Sequence, residues 1–256
     1  MTTNVIEIRQ LTKDYGNNRG IFDVSLSVKK GEVFGFLGPN GAGKTSTFNL
    51  ITGVYTPTSG SILYKGQDLK KYKPYQITNI GIARTFQNIR LFKQLTVLEN
   101  IILAMNHKRK INFFASLLPF GAGKKELNMV TEQAIQYLEY ANLVEFKDLK
   151  AENLSYGKQR ELEICRAIAT GADLILLDEP AAGLNPSETT QLMEIIRNIK
   201  NDLNKSIFLI EHDMKLVMGI SDRIVVLDYG EKIAEGAPTD IRNNPQVIKA
   251  YLGKGE

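Results

Sequence analysis

Four short apolar runs, EVFGFLG, DLILLDE, SIFLIEH and RIVVLDY, lack polar alternation and are bounded by turn residues, the pattern of strands buried on both faces. Such strands need helices on each side. Helical stretches do follow, at Lys44 to Thr52, at Pro186 to Asn201 with proline in the first turn, and at Asp213 to Ile220. The alternation predicts an α/β core with a mostly parallel sheet. The N-terminal part differs: NVIEIRQL, IFDVSLSV and GSILYKG alternate apolar and polar residues at period two and are joined by turns such as YGNNRG, which predicts a small antiparallel sheet. Between about Leu91 and Ile168 the pattern turns helical, with KKELNMVTEQAIQYLEYANLV the clearest amphipathic segment. No repeat, low-complexity tract or Pro/Gly/Ser linker interrupts the chain, so the expectation is one domain over residues 1–256. Its lobes are a core with the antiparallel sheet at 1–90 and 169–256, and a helical lobe at 91–168.

Composition narrows the picture. At 256 residues and 43% hydrophobic content the chain can bury a large core. A net charge of +4 from 32 basic and 28 acidic residues is too mild to argue for nucleic acid. The single Cys165 excludes a disulfide framework and a cysteine zinc cluster, and reads as a small core residue on a helix. No N-terminal basic and apolar leader is visible, and no run of eighteen apolar residues; the longest candidate, INFFASLLPF, is broken by Pro119. The expectation is a chain that is neither exported nor membrane-spanning.

Chemistry enters at GPNGAGKT. Residues Gly38 to Thr45 match GxxxxGK[ST] between a buried strand and a helix. Glycines at these places let successive N–H groups converge on phosphate oxygens at the positive end of a helix. Gly38, Pro39, Asn40, Gly41, Ala42, Gly43, Lys44, Thr45 and Ser46 are thus the candidate phosphate site, with Lys44 reaching the β- and γ-phosphates and the Thr45 hydroxyl ligating Mg²⁺. GAGK recurs at Gly121 to Lys124, but without a leading glycine or a following Ser/Thr, and reads as a turn. At LILLDEP a buried strand ends in two carboxylates. Asp178 is the candidate for the Mg²⁺ shell, and Glu179, pointing another way, is the candidate to face the γ-phosphate and orient or deprotonate the attacking water. An acidic pair of this kind is also a common surface turn.

GPNGAGKT, LSYGKQR and LILLDEP together, the last two separated by one helix length, resemble the ATP-binding cassette (ABC) ATPases over nearly the whole chain. The resemblance implies the P-loop fold of that family, ATP and Mg²⁺ as ligands, and two cassettes packed head to tail. Ser155 and the Gly157 backbone would then bind the γ-phosphate held by the second subunit. Tyr156 and Lys158 depart from the usual LSGGQ; a phosphate-facing and a solvent-facing lysine are both open. By the same resemblance Tyr15 would stack on adenine, although an ordinary half-buried tyrosine in a turn is an equal reading. Gln87 would reach Mg²⁺ and water while moving with the helical lobe, His212 would contact the γ-phosphate, and Ala181 to Asn185 would cross the dimer interface beside Glu179.

ARTFQNIRLF, EPAAGLNP, EHDMKLVMGISDRI and IRNNPQVIKAYLG are similar to the ATP-binding subunits of branched-chain amino-acid importers. That implies a second ATPase subunit, identical or related, two membrane permeases and, indirectly, an external binding protein as partners, no nucleic acid, and a place on the cytoplasmic face of the membrane. NIRLFKQLTVLENI would help form the groove for a permease helix, and HKRKINFFASLLPFGAGKK, residues 107–125, would lie near the anionic membrane surface or the permease, or be a solvated loop with a few core anchors. Urea-type and lipopolysaccharide-export cassettes remain alternatives. A soluble cassette acting on ribosomes or DNA fits less well, since the chain carries one P-loop and no sustained heptads; a P-loop GTPase or kinase leaves LSYGKQR without a role.

Overall fold

The structure, a computed structural model, describes residues 3–17, 19–105 and 122–252. Strands β1 (Asn4–Asp14) and β2 (Gly20–Lys29) precede β3 (Val33–Leu37), helix α1 (Lys44–Ile51), β4 (Ser59–Tyr64), β5 (Gln67–Asp68), α2 (Pro74–Ile80) and β6 (Ile82–Arg84). Then come α3 (Val97–Met105), α4 (Ala122–Glu139) and α5 (Tyr156–Ala169). Last are β7 (Leu174–Asp178), α6 (Pro186–Leu203), β8 (Ser206–Ile210), α7 (Met214–Ile220), β9 (Arg223–Asp228), β10 (Glu231–Gly236), α8 (Pro238–Arg242) and α9 (Pro245–Leu252).

The predicted antiparallel sheet is present, in the order β2-β1-β4-β5. Its alternation is kept in phase by two irregularities. Ile6 and Ile8 face the core, and strict period two would then turn Gln10 inward. Instead Gln10 takes a φ of 47° and the pairing slips between Ile8 and Leu11, so that Leu11 is buried. On β2, Asp23 at φ 50° does the same for Val24, the partner of Leu11.

The second sheet runs β10-β9-β3-β8-β7-β6, parallel except for β9 with β10. Its four apolar strands are buried on both faces, as their lack of polar alternation requires. Successive residues still part by period two: Val33, Ile175, Leu177, Ile207, Leu209 and Val226 join the core under the helices, while Phe34, Phe36, Leu174, Leu176, Phe208 and Leu227 join the core shared with α1 and the antiparallel sheet. In that second core Phe208 meets Phe34, Phe36 and Phe48 edge-on, with ring centroids 5.2, 5.3 and 5.1 Å away. Phe48 belongs to α1, so this cluster fixes the helix that follows the phosphate loop.

One expectation needs correction, and one is not reached. The second GAGK is not a turn: residues 122–124 open α4, and Gly121 lies outside the described residues. The segment at 107–125, read as lying near the membrane or forming a solvated loop, also falls outside them except for the start of α4.

Replacing Phe208 by alanine should remove the centre of the aromatic cluster and cost about 3–5 kcal/mol of stability. Denaturant unfolding of the variant and the parent measures this; a loss below about 1 kcal/mol would mean that α1 is held by other contacts.

Candidate active site

Parallel pairing brings distant segments to one edge. Phe36 of β3 pairs with Ile210 of β8, and Ile210 with Asp178 of β7, so the segments after residues 37, 178 and 210 emerge side by side. The end of β6, leading to Gln87, flanks them. Ligands bind beyond the carboxyl ends of such sheets.

The turn from β3 into α1 wraps a cavity of about 450 Å³ lined by Asn40 to Ser46, Tyr15, Arg19, Gly20, Glu179 and Tyr229. Gly43 caps α1 in the left-handed region at φ 101°, and a Cβ there would stand 2.4 Å from Ile21, so only glycine fits. No side chain caps α1, whereas Asn185 caps α6 and Asp213 caps α7. The first N–H groups of α1 thus face the cavity at the positive helix end, an arrangement made for an anion. Lys44, almost fully buried, folds onto the loop, its Nζ donating to the carbonyls of Gly38 at 2.7 Å and Pro39 at 3.1 Å. Tyr15 is half exposed, sits edge-on to Tyr55 at 6.0 Å, and its hydroxyl is 3.4 Å from Ser46 Oγ. Lys13 Nζ lies over the ring, 5.6 Å from its centroid, and Tyr15 lines the cavity rim.

Asp178 and Glu179 do part. Asp178 is buried, and Arg84 donates to its Oδ2 at 2.7 Å while also reaching Asn49 Oδ1 of α1 at 2.8 Å. Glu179 takes a left-handed φ of 47° and hangs by its N–H on the Ile210 carbonyl at 2.9 Å, an uncommon backbone state for a side chain of this size. That turn aims its carboxylate into the cavity. Gln87 Nε2 donates to Glu179 Oε2 at 3.1 Å, and His212 Nδ1 lies 3.9 Å from Glu179 Oε1. Behind them Glu211, wholly buried, accepts from the N–H groups of Ala181 at 2.8 Å and His212 at 3.0 Å. Burial pushes its carboxyl above the usual carboxylate range, against those hydrogen bonds.

A Mg²⁺ ion fits this donor set in one way. Among the described residues no cluster of three His, Cys, Asp or Glu is placed to hold a metal. The Thr45 hydroxyl lines the cavity and Asp178 ends the strand beside it with Arg84 on one carboxylate oxygen, donor types that suit an ion keeping waters and substrate phosphates as its other ligands.

Ser155 and Gly157 stand apart from this cavity, at the start of α5. Ser155 is exposed and caps the helix, its Oγ accepting from the Lys158 N–H at 3.4 Å. Gly157 is buried against α6, where a Cβ would meet Glu188 Oε1 at 2.5 Å. Lys158 turns into its own lobe, pairing with Glu161 at 2.8 Å and lying over the Phe146 ring at 5.8 Å. Tyr156 lies over Gly183 and donates to the Ala182 carbonyl at 3.1 Å.

Sequence reasoning missed Arg84, Arg160, Glu211, Arg19 and Tyr229. Arg160 is fully buried and donates to the carbonyls of Phe86 at 2.8 Å and Gln87 at 2.7 Å. Beside it a groove of about 410 Å³ is lined by Phe86, Arg90, Phe92, Leu103, Glu163 and Arg166 among others. Arg90 stacks on Phe86 at 4.1 Å and Arg166 on Phe92 at 5.0 Å. One signal was readable: EH at the end of SIFLIEH gives a second strand end with an acid on it.

Against known proteins, residues 21–182 match the family described as ABC transporter, and residues 231–256 match that described as branched-chain amino acid ATP-binding cassette transporter. The chain is 44% identical over 254 residues to the high-affinity branched-chain amino acid transport ATP-binding protein LivG of Salmonella typhimurium, covering 99% of this chain and 100% of that one. Its fold is similar to the ADP conformation of an ABC transporter ATP-binding cassette, with TM-score 0.83, 31% identity and coverage of 99% and 100%. It is also similar to a dimeric post-hydrolysis cassette bound to ADP and Pi, with TM-score 0.74, 25% identity and coverage of 91% and 98%.

Glu211 gives a signed pH dependence. Its raised value means that the folded chain holds the proton to higher pH than the unfolded chain, so the stability it contributes is full below the unfolded value near 4.5 and is lost as pH rises through the folded value. Glu211→Gln removes that titration. The stability advantage of the parent over the variant should therefore shrink from acid toward neutral pH in guanidinium unfolding series; an advantage that grows with pH would contradict it.

Proposed function

The chain belongs to the ABC transporter family of ATP-binding cassettes, and on that premise we propose that it hydrolyses ATP to drive a branched-chain amino-acid importer. The reading rests on one observation above the rest. Glu179, in a strained turn at the mouth of the phosphate loop, has Gln87 on one carboxylate oxygen and His212 near the other.

ATP places its phosphates against the N–H groups at the start of α1, with its base on the Tyr15 face. Lys44 leaves the Gly38 and Pro39 carbonyls for the β- and γ-phosphates. Thr45 and Asp178 would hold Mg²⁺, which when bound would neutralise phosphate charge. Gln87 withdraws its amide from Glu179 as the helical lobe turns, freeing the carboxylate oxygen that takes the proton of the attacking water. His212 donates toward the γ-phosphate.

The site is completed from outside. Ser155 is exposed on another lobe, so its helix end serves the nucleotide of a second cassette, and the similarity to a dimeric cassette supports that arrangement. ATP then closes the pair because each nucleotide attracts across the interface only when closed. The Phe86–Phe92 groove receives a cytoplasmic helix of a permease. It adjoins the backbone of Gln87, so closure and permease movement are linked. No helix among the described residues is long and apolar enough to cross a membrane, and the permeases carry the solute, here leucine, isoleucine or valine.

Glu179→Gln should keep ATP affinity while lowering turnover at least about 100-fold, and ATP-driven leucine uptake into vesicles should fall with it. Phosphate release and equilibrium ATP binding measure the split; parental turnover would remove Glu179 from its role. Ser155→Arg should leave ATP binding to the isolated chain intact and abolish hydrolysis by the assembled pair. Loss of binding in the isolated chain would show a local role instead.

A further inference from the structure

Tyr156, one of the two departures from the usual pattern in LSYGKQR, sits at a junction that the proposed mechanism does not use. Its hydroxyl donates to the Ala182 carbonyl at 3.1 Å and receives a hydrogen bond from Arg160 Nη2 at 3.3 Å. Its ring covers Gly183, at φ 81°, where a Cβ would stand 3.1 Å from the ring edge. Arg160, fully buried, donates from the same Nη2 to the Gln87 carbonyl at 2.7 Å and from Nη1 to Phe86 O at 2.8 Å and Glu163 Oε2 at 2.7 Å. On the other side the Ala182 N–H donates to the Glu179 carbonyl at 3.1 Å, closing the turn that aims the carboxylate.

We propose that Tyr156 is a positioning residue for ATP hydrolysis, which joins the Gln87 backbone, through Arg160, to the turn that holds Glu179 in its strained conformation. The inference rests on Glu179 being the base. Two properties make the tyrosine hydroxyl fit the place. It is at once acceptor and donor, so it passes from a guanidinium to a carbonyl, which phenylalanine cannot do. The guanidinium end of the path is buried, and a hydrogen bond to a charged donor is about twice as strong as a neutral one. Glu179 would relax toward an ordinary backbone state if the turn were free, since a left-handed side-chain residue persists only where its surroundings over-determine it. Ala182 is held by Tyr156 and Ala181 by Glu211, one from the helical lobe and one from β8. A shift of the Gln87 segment therefore reaches Glu179 by way of its backbone as well as through the amide contact.

The test compares Tyr156→Phe, Glu179→Gln and parent in the assembled transporter in vesicles, measuring kcat and KM for ATP, together with the melting temperature of each isolated chain. Tyr156→Phe keeps the ring over Gly183 and loses only the hydroxyl. The expected result is a kcat about tenfold lower, with KM and melting temperature unchanged, the size expected for lost hydrogen bonds on a charged group. A parental kcat in Tyr156→Phe beside an inactive Glu179→Gln overturns this proposal and leaves the catalytic reading standing. A kcat loss matched by a fall in ATP affinity or melting temperature also overturns it, because the tyrosine would then be structural. Parental hydrolysis in Glu179→Gln overturns the catalytic reading, and this proposal with it.

Discussion

The first turn of an α-helix leaves backbone N–H groups without partners, and this chain sets two such turns, at the starts of α1 and α5, on different lobes. The first opens into the cavity with no side-chain cap. The second follows an exposed serine. A triphosphate carries charge enough to occupy both, yet one chain delivers only the first to its own cavity. In the proposed mechanism that separation is the physical reason for pairing: the anion would bridge two proteins, and breaking off its terminal phosphate would remove the bridge.

Three carboxylates at neighbouring strand ends show how one sheet edge makes different chemistry from one type of group. Asp178 is buried and held in place by the Arg84 guanidinium. Glu211 is buried among N–H groups and pushed upward, a backbone clamp. Glu179 is left partly open in a strained turn, with a neutral amide and an imidazole beside it. Of the three, Glu179 is the one that lines the cavity, which is why the proposed mechanism gives it the attacking water. Environment, rather than residue type, assigns the roles.

Much of this was legible in the chain. EVFGFLG, DLILLDE, SIFLIEH and RIVVLDY announced themselves because strands covered on both faces cannot carry polar residues. β6 has three residues, too few for a pattern, and β10, EKIAEG, is a half-exposed edge strand whose apolar residues, Ile233 and Ala234, are adjacent rather than alternating. The phosphate loop and the acidic pair were legible because local spacing specifies them. Arg84 and Arg160 were not: they act on residues 94 and 73 positions away, and no local spacing records which strand ends will be neighbours. Lys158, whose direction was open in the sequence, is settled by a partner one turn along α5, Glu161.

The shared-nucleotide geometry is most directly tested by disulfide trapping. Cys165 is the chain's one cysteine, and burial pushes its thiol up and leaves it unreactive, so an added cysteine reports alone. With Ser155→Cys on this chain and a cysteine at the Asn40 position of the facing cassette, the assembled transporter should form a cross-link between the two subunits that needs ATP. Absence of that cross-link at saturating ATP, or its formation to the same extent without nucleotide, would contradict the account.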